Sequence, residues 1–582
     1  LEDRDLHAQT SLVRLSSASA GTTTIQRLLD QLDDFKNRFA PREQRVVERL
    51  LKRLDKLKID DVDELIRLHE LLLFLAAYPY NSQIKQLAES QLRNFANRLA
   101  ALDDLTAFDN PEVSGVAGAS VSDTFSYYIV RWLRETYPGR TTLDWDWFND
   151  ENRLAETWPR FMPLLEEDAY VEANVPYQTW LSAASGRKRG LPWLLKHFSS
   201  LPRSEKEIAE LYDSQNLFVK WTPSYRTSRT GMRLPFKRRN FYHRGPLIQR
   251  RDVSLAAELK KPGSPALKLL SAERGETIIN LARAASSLRY RELYGFTHGD
   301  PRSVLHANIG RGVDIFVISL PPERRLPLRA YHAAMIFKNG VPVGYFEGLS
   351  IFERMESGFN LYYTFRDGET AWLYAHTLNI FHRLLGVSVF TLDPYQIGYE
   401  NEEGIESGAF WFYRKLGFRS VNPELMKLTA AEERKIAKRK GYRTAAHTLR
   451  KLATQPMVFE LGETNTGDWD RFQLRNIGLA AQRRMAEYYD GEMEKFRSDA
   501  IAHLRRALGP GAANWPKGAR AALADFAVTL SLIDDLAHWS AADKRMTMRI
   551  IRAKATSDES EYLRLMQKHK RLREALLRLG SS

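Results

Sequence analysis

The sequence predicts an α+β protein: a central α/β block with a mixed sheet, flanked by mainly helical N-terminal and C-terminal regions. Three observations predict this. Apolar residues recur at helical spacing from about residue 23 to residue 102, and again after about residue 462. Short β-rich apolar runs cluster between about residues 312 and 461. Within that cluster the strands alternate with a helix-length segment that stops at Gly386.

At 582 residues the chain has room for three or four domains of ~150 residues each. The divisions read from it are 1–115, 116–245, 246–465 and 466–582. Hydrophobic residues make up 43% and charged residues 27%, the balance of an ordinary soluble globular protein. There are no cysteines, which excludes disulfides, thiolate metal sites and cysteine nucleophiles and fits a reducing cytoplasm. No apolar run approaches the ~18 residues of a membrane span, so no membrane partner is expected. The chain opens at Leu1 rather than Met, as a trimmed chain would, and no signal-peptide pattern follows. A net charge of +14 favours an anionic partner or substrate, either nucleic acid or the phosphates of a cofactor.

Residues 1 to about 22 are polar and small and read as a mobile terminus. Three stripes then predict helices. They are Ile25, Leu28, Leu29, Leu32 and Phe35; Val46, Val47, Leu50, Leu51 and Leu54; and Leu65, Leu68, Leu71, Leu72 and Leu75. A bundle of about four helices is expected, ending at a loop near Pro111–Ser122. The Trp- and Tyr-rich stretch up to about Phe218 reads as a mixed, mainly helical domain. Lys220–Arg251 holds ten Lys/Arg and no Asp or Glu before its Asp252 neighbour, interleaved with aromatics and broken by Pro and Gly. It reads as an extended basic loop or linker.

Val313–Leu320 is a strand. Asn339-Gly340 between two apolar halves predicts a hairpin. NLYYTF (Asn360–Phe365) reads as the next strand, Glu369–Leu385 as a helix, and Val387–Leu392 as a strand. Ser407–Leu416 reads as a helix that stops at Gly417, and strands follow at FRSV and at PMVFEL (Pro456–Leu461). Amphipathic helices resume after about Gly462, including the long stretch Met546–Leu579.

The stretch Glu406–Phe418, ESGAFWFYRKLGF, resembles the A-x-x-x-Y-x-K-L-G-F signature of the GNAT superfamily of acyl-coenzyme A dependent N-acyltransferases. The order strand, hairpin, strand, helix, strand, helix, strand resembles the core of that fold over roughly Ser287–Leu461. The resemblance implies a GNAT-like domain with acetyl-coenzyme A or another acyl-coenzyme A as cofactor. It also implies a gap between the fourth and fifth strands that takes the pantetheine arm. The pyrophosphate would rest on backbone N–H groups at the start of the helix after the fourth strand, where unpaired amides and the helix dipole favour an anion.

The loop at that place is Arg366-Asp367-Gly368-Glu369-Thr370-Ala371, preceded by Phe365. Its Gly stands one residue earlier than in the family pattern, and Asp367 and Glu369 bring negative charge beside the expected diphosphate. Ser407, where the family often has Asn, completes the expected cofactor contacts. Tyr413 matches the tyrosine that protonates the departing thiolate, a step a phenol can perform. Glu347 and Glu353 are the candidate bases, with Glu356 beside them. His298 and Asp300 form either a base-and-orienter pair or an Asx-type turn. Asp393, Gln396 and Asn401, with Glu402 and Glu403, make an acidic junction suited to a cationic amine acceptor.

Two functions compete at this level. One is N-acyl transfer to an amine the sequence does not identify. The other is a nucleic-acid-associated or scaffold protein with a non-catalytic GNAT-like domain, supported by the basic aromatic segment Lys220–Arg251.

Overall fold

The structure is a computed structural model that describes residues 23–148, 152–162, 175–186, 190–263, 265–462, 466–509, 515–556 and 558–581. The polar first residues, read above as a mobile terminus, lie outside the described residues.

The N-terminal stripes form the helices they predict. These are α1 (Thr24–Phe35), α2 (Pro41–Asp55), α3 (Val62–Ala77) and α4 (Ser82–Arg93). Each start has a local cause. Thr23 and Gln26 make a capping box, Pro41 opens α2, and Asp61 and Asn81 accept from backbone amides of the first turn. The run Leu71–Ala77 of α3 is buried on all sides. A helix apolar all round must be covered all round, and α3 is the element that reaches the central sheet.

The aromatic region carries a small antiparallel sheet of β1 (Val121–Asp123), β2 (Thr141–Leu143) and β3 (Val219–Trp221), in the order β1-β3-β2. Tyr137 stacks on Trp221 at 5.4 Å and holds one edge of it.

The large sheet has nine strands: β4 (Lys268–Leu269), β5 (Leu305–Gly310), β6 (Val313–Ser319), β7 (Ala330–Lys338), β8 (Val341–Ile351), β9 (Arg354–Leu361), β10 (Val389–Leu392), β11 (Arg419–Ser420) and β12 (Met457–Glu460). Their order is β11-β12-β10-β9-β8-β7-β6-β5-β4. β4 to β9 form an antiparallel run, and β10 lies parallel to β9. β12 inserts antiparallel between β10 and β11. The parallel pair requires a crossover, supplied by α6 (Thr370–Leu385); helix α5 (Ala272–Ser287) precedes the sheet's long strands. The β7–β8 hairpin turns at Asn339-Gly340, with φ of 47° and 79°, as the Asn-Gly pair predicts. Phe346 stacks on Phe381 at 4.8 Å and Phe359 packs on Tyr374 at 5.1 Å, so α6 covers one sheet face.

Two readings of the sequence need correction. The strand before α6 is Arg354–Leu361, not Asn360–Phe365; Tyr363–Phe365 is a short 3-10 turn. Glu356 and Gly358 disguise this strand, because their side of β9 faces away from the core. The helix expected over Ser407–Leu416 is the shorter α8 (Ala409–Arg414); Gly408 at φ 69° precedes it, and a separate helix, α7 (Glu402–Glu406), lies ahead of that. The amphipathic stretch Met546–Leu579 is covered by three helices (541–554, 559–568 and 570–581).

Lys220–Arg251, read as an extended loop or linker, is a strap that joins the bundle to the sheet. Asn339 Nδ2 donates to Ala77 O at 2.8 Å and Phe241 O at 3.0 Å, while its Oδ1 accepts from Phe241 N. Leu234 N donates to Gly340 O, and His243 N to Pro79 O. Arg229 is buried against Glu70 at 2.5 Å and Thr364 at 3.1 Å. Those guanidinium bonds are spent inside the protein.

The C-terminal helices dock on the strand ends at the far side of the sheet. Gln567 Nε2 donates to Phe352 O and Leu385 O at 3.0 and 2.9 Å. Buried Lys554 and Glu559 pair at 2.5 Å. Among the described residues no helix is long and apolar enough to cross a membrane.

Candidate active site

β9 and β10 pair only over Val389↔Arg354, Phe390↔Met355 and Thr391↔Glu356. β9 then runs on to Leu361, whereas β10 ends at Leu392 and turns away at Asp393-Pro394. The strands therefore part, and the backbone of β9 beyond Glu356 needs other partners. Gln396 supplies one. Its Nε2 donates to Phe359 O at 3.0 Å and to Tyr413 Oη at 3.0 Å.

Tyr413 is on α8 and is buried. Its ring lies edge-on to Tyr374 at 5.5 Å and Phe418 at 5.8 Å. Burial pushes its phenol well up from the ordinary tyrosine value, which Gln396 offsets only in part. The phenol is therefore protonated at neutral pH.

Directly across β8 and β9, Glu347 pairs with Gly358 in register, so both face the side of the sheet opposite α6. Gly358 is half-buried, and the space above it has room for a methyl group. A Cβ there would find nothing nearer than Gln396 Oε1 and Glu347 O at 3.9 Å and Glu347 Cβ at 4.0 Å. Glu347 accepts a hydrogen bond from Tyr331 Oη, and that oxygen accepts from Gly295 N at 3.2 Å. Burial raises the Glu347 pKa, partly countered by Tyr331. Asp393 is raised too, first by burial and also by nearby Glu356, against the bond from Tyr395 N at 2.9 Å. A carboxylate raised toward neutrality suits a general base.

The loop ahead of α6 packs tightly. Phe365 and Ala371 are buried. Asp367 pairs with Lys36 of the bundle at 2.7 Å. Arg366 pairs with Glu403 and lies over the Tyr363 ring at 5.6 Å. Thr370 Oγ1 donates to Arg366 O at 3.0 Å. Glu369 is 1% exposed. Burial alone would raise its pKa, but Lys338 at 3.2 Å and Arg311 (Nε at 3.1 Å) hold it below the ordinary value. Its negative charge is thus cancelled inside the fold rather than presented to a ligand.

Several residues read from the sequence stand elsewhere. Glu353 lies at the opposite end of β9, about five residues or ~16 Å from Gly358. Its carboxylate is held by Arg573 Nε at 2.8 Å and Trp469 Nε1 at 2.7 Å, so it ties the C-terminal helices to the sheet. Glu356 is occupied by Arg354 and Arg329 at 3.5 and 3.6 Å. Ser407 ends α7 and donates to Gly404 O; it is a C-cap residue, not a helix start facing a ligand. Asn401 caps α7, accepting from Gly404 N at 3.1 Å and donating to Tyr395 O at 3.0 Å. Asp300 accepts from Arg302 N at 2.9 Å in an Asx-type turn, and His298 sits between Tyr128 and Tyr294, its pKa lowered to about 4 by burial. The two do not form a catalytic pair.

The sequence reading brought Tyr413, Gln396, Asp393 and Glu347 to one place and overlooked Gly358 and Tyr331. The alternation Glu356-x-Gly358-x-Asn360 was the available signal for a strand with one half-buried face. Among the described residues no cluster of His, Asp and Glu is placed to hold a metal ion. No family model, curated protein or solved structure matches this chain.

Proposed function

We propose that the protein is an acyl-coenzyme A dependent N-acyltransferase of GNAT type that uses acetyl-coenzyme A and acylates an amine. The observation that carries this reading is the half-buried surface at Gly358, which has no side chain of its own and is bracketed by Glu347 on one side and the Gln396–Tyr413 pair on the other. The parting of β9 from β10 beside it supports placing the pantetheine arm between these strands. Glu347 takes a proton from the amine, whose nitrogen then forms a bond to the thioester carbonyl carbon. The carbon–sulfur bond breaks, and Tyr413 passes its proton to the sulfur. The phenolate regains, through water, the proton that Glu347 took, so the step balances without a further reactant.

A second reading is a GNAT-like domain that binds or scaffolds without turnover. It is favoured by one contact: Tyr78 of the bundle lies against Gly368, on the loop expected to cradle phosphates. Nucleic-acid binding by the strap gains less support, since Arg229, Arg233 and Arg238 are engaged within the protein.

The test is Gly358→Val. A Cβ at this position meets only ordinary contacts, and a β-branched residue suits a strand. The variant should fold as well as the wild type and lose acetyl transfer to primary amines by ~10²-fold or more, since the reacting atoms are excluded. Calorimetry with acetyl-coenzyme A on the wild type separates the readings. Binding with transfer supports the enzyme, binding without transfer rejects turnover, and no binding at millimolar ligand rejects the enzyme and leaves the non-catalytic reading.

A further inference from the structure

We propose that Gln396 is a positioning residue that aims the Tyr413 proton into the gap between β9 and β10; this rests on the acyltransfer reading above.

The Phe359 carbonyl oxygen can only accept. The side-chain atom of Gln396 that lies 3.0 Å from it is therefore the amide nitrogen, which fixes which way the amide faces. That nitrogen carries two hydrogens. One goes to Phe359 O and the other to Tyr413 Oη, also at 3.0 Å. The phenol oxygen is thus an acceptor toward Gln396, and its own proton must point elsewhere. Among the described residues no atom of the chain accepts that proton. A buried donor left without an acceptor is destabilising. Such a group is held where a ligand atom completes it.

The turn carrying Gln396 is itself braced. Asp393 Oδ1 accepts from Tyr395 N at 2.9 Å, Gln396 N donates to Asp393 O, and Asn401 Nδ2 donates to Tyr395 O at 3.0 Å. Ile397 is fully buried beside it. Asp393 and Asn401, read from the sequence as acceptor-binding, are thereby the supports of Gln396. The chemistry assigned to the pair is a single proton transfer. The O–H bond of Tyr413 breaks as the S–H bond of the leaving thiol forms, and the phenolate left behind is still hydrogen-bonded by the Gln396 N–H. That bond strengthens as charge develops on the phenol oxygen.

A carboxylate at 396 cannot donate. It would accept the Tyr413 proton and draw it out of the gap. Gln396→Glu should therefore cut kcat for acetyl transfer by ~10- to 10²-fold, the usual range for losing a positioned proton transfer, and leave the acetyl-coenzyme A Kd within about twofold. In a Tyr413→Phe background the same change should do nothing further, because there is no proton left to aim. Gln396→Met keeps the volume and removes the donor, and it carries the same cycle if the glutamate variant does not fold. Loss of kcat confined to the Tyr413 background supports the inference. Equal losses in both backgrounds, a loss carried wholly by Kd, or no loss would overturn it while wild-type activity leaves the enzyme reading intact. A wild-type chain that neither binds nor acetylates overturns both.

Discussion

Tyr78 closes over Gly368. A Cβ placed on Gly368 would lie 2.4 Å from the Tyr78 hydroxyl oxygen and 2.6 Å from its Cζ. The contact joins the end of α3 to the start of α6. Tyr78 also lies under the Lys338 ammonium, at 4.7 Å from the ring centroid, beside the buried Glu369–Lys338 pair.

Gly368→Ala should therefore destabilise the protein by ~1–3 kcal/mol, as overpacking at a closed contact does. Limited proteolysis should show the bundle released first. Replacing Tyr78 with Leu in the same chain should recover part of the loss. Equal Tm for wild type and Gly368→Ala would show that the contact is loose.

Tyr413→Phe should lower kcat by ~10²- to 10⁴-fold and leave the acetyl-coenzyme A Kd nearly unchanged, since only the proton donor is removed. Glu347→Gln should cost a similar factor. It should also abolish the acid limb of the kcat/KM profile, because the raised Glu347 carboxyl must lose its proton to act as base. A retained acid limb in the glutamine variant assigns the base to another group, with Asp393 next to be tested.

Glu353→Gln and Arg573→Ala should each loosen the C-terminal helices without touching chemistry. Their carboxylate–guanidinium pair is partly buried and bidentate. A double-mutant cycle should give a coupling of ~1–3 kcal/mol in thermal unfolding. Acetyl-coenzyme A affinity should stay level. A selective loss of kcat in Glu353→Gln would restore it as a candidate base.

Two buried carboxyls should shape stability against pH in opposite senses. Burial raises Glu292 to about 7, only partly relieved by the bond from Ser126 N at 2.8 Å. The folded state then holds a proton that the unfolded chain releases near pH 4.5. Stability from this group is full below that pH and lost as pH rises toward 7, by roughly 3 kcal/mol. Glu292→Gln should stabilise at pH 8 and be neutral at pH 4. Glu70 behaves in reverse. Burial would raise it, but Arg229, His69 and Thr364 hold it at about 2. Its contribution is present above pH 4.5 and lost as pH falls toward 2, again by roughly 3 kcal/mol. Chemical denaturation of Glu70→Gln across that range should show a flattened acid limb.

The sequence by itself determined the elements whose causes are local. The stripe Leu65–Leu75 makes a helix in any context, and Asn339-Gly340 makes a hairpin turn because both residues accept positive φ. The order of strands and helices in the central block was legible for the same reason, as were Tyr413 and the Gly417 stop after it. Tertiary structure decided the rest. Glu353 and Glu347 are both glutamates near strand ends, and only the fold places Arg573, over 200 residues away in sequence, beside one and a half-buried glycine beside the other. The strap could not be told from a binding loop, because the carboxylate that neutralises Arg229 is Glu70 of a distant helix. Strand β9 was misplaced because period-2 alternation identifies a strand only when one knows which face is covered. Here one face of β9 (Met355, Ser357, Phe359) is buried and the other (Glu356, Gly358, Asn360) is half-buried, and which face is covered is set by long-range packing that no local pattern encodes.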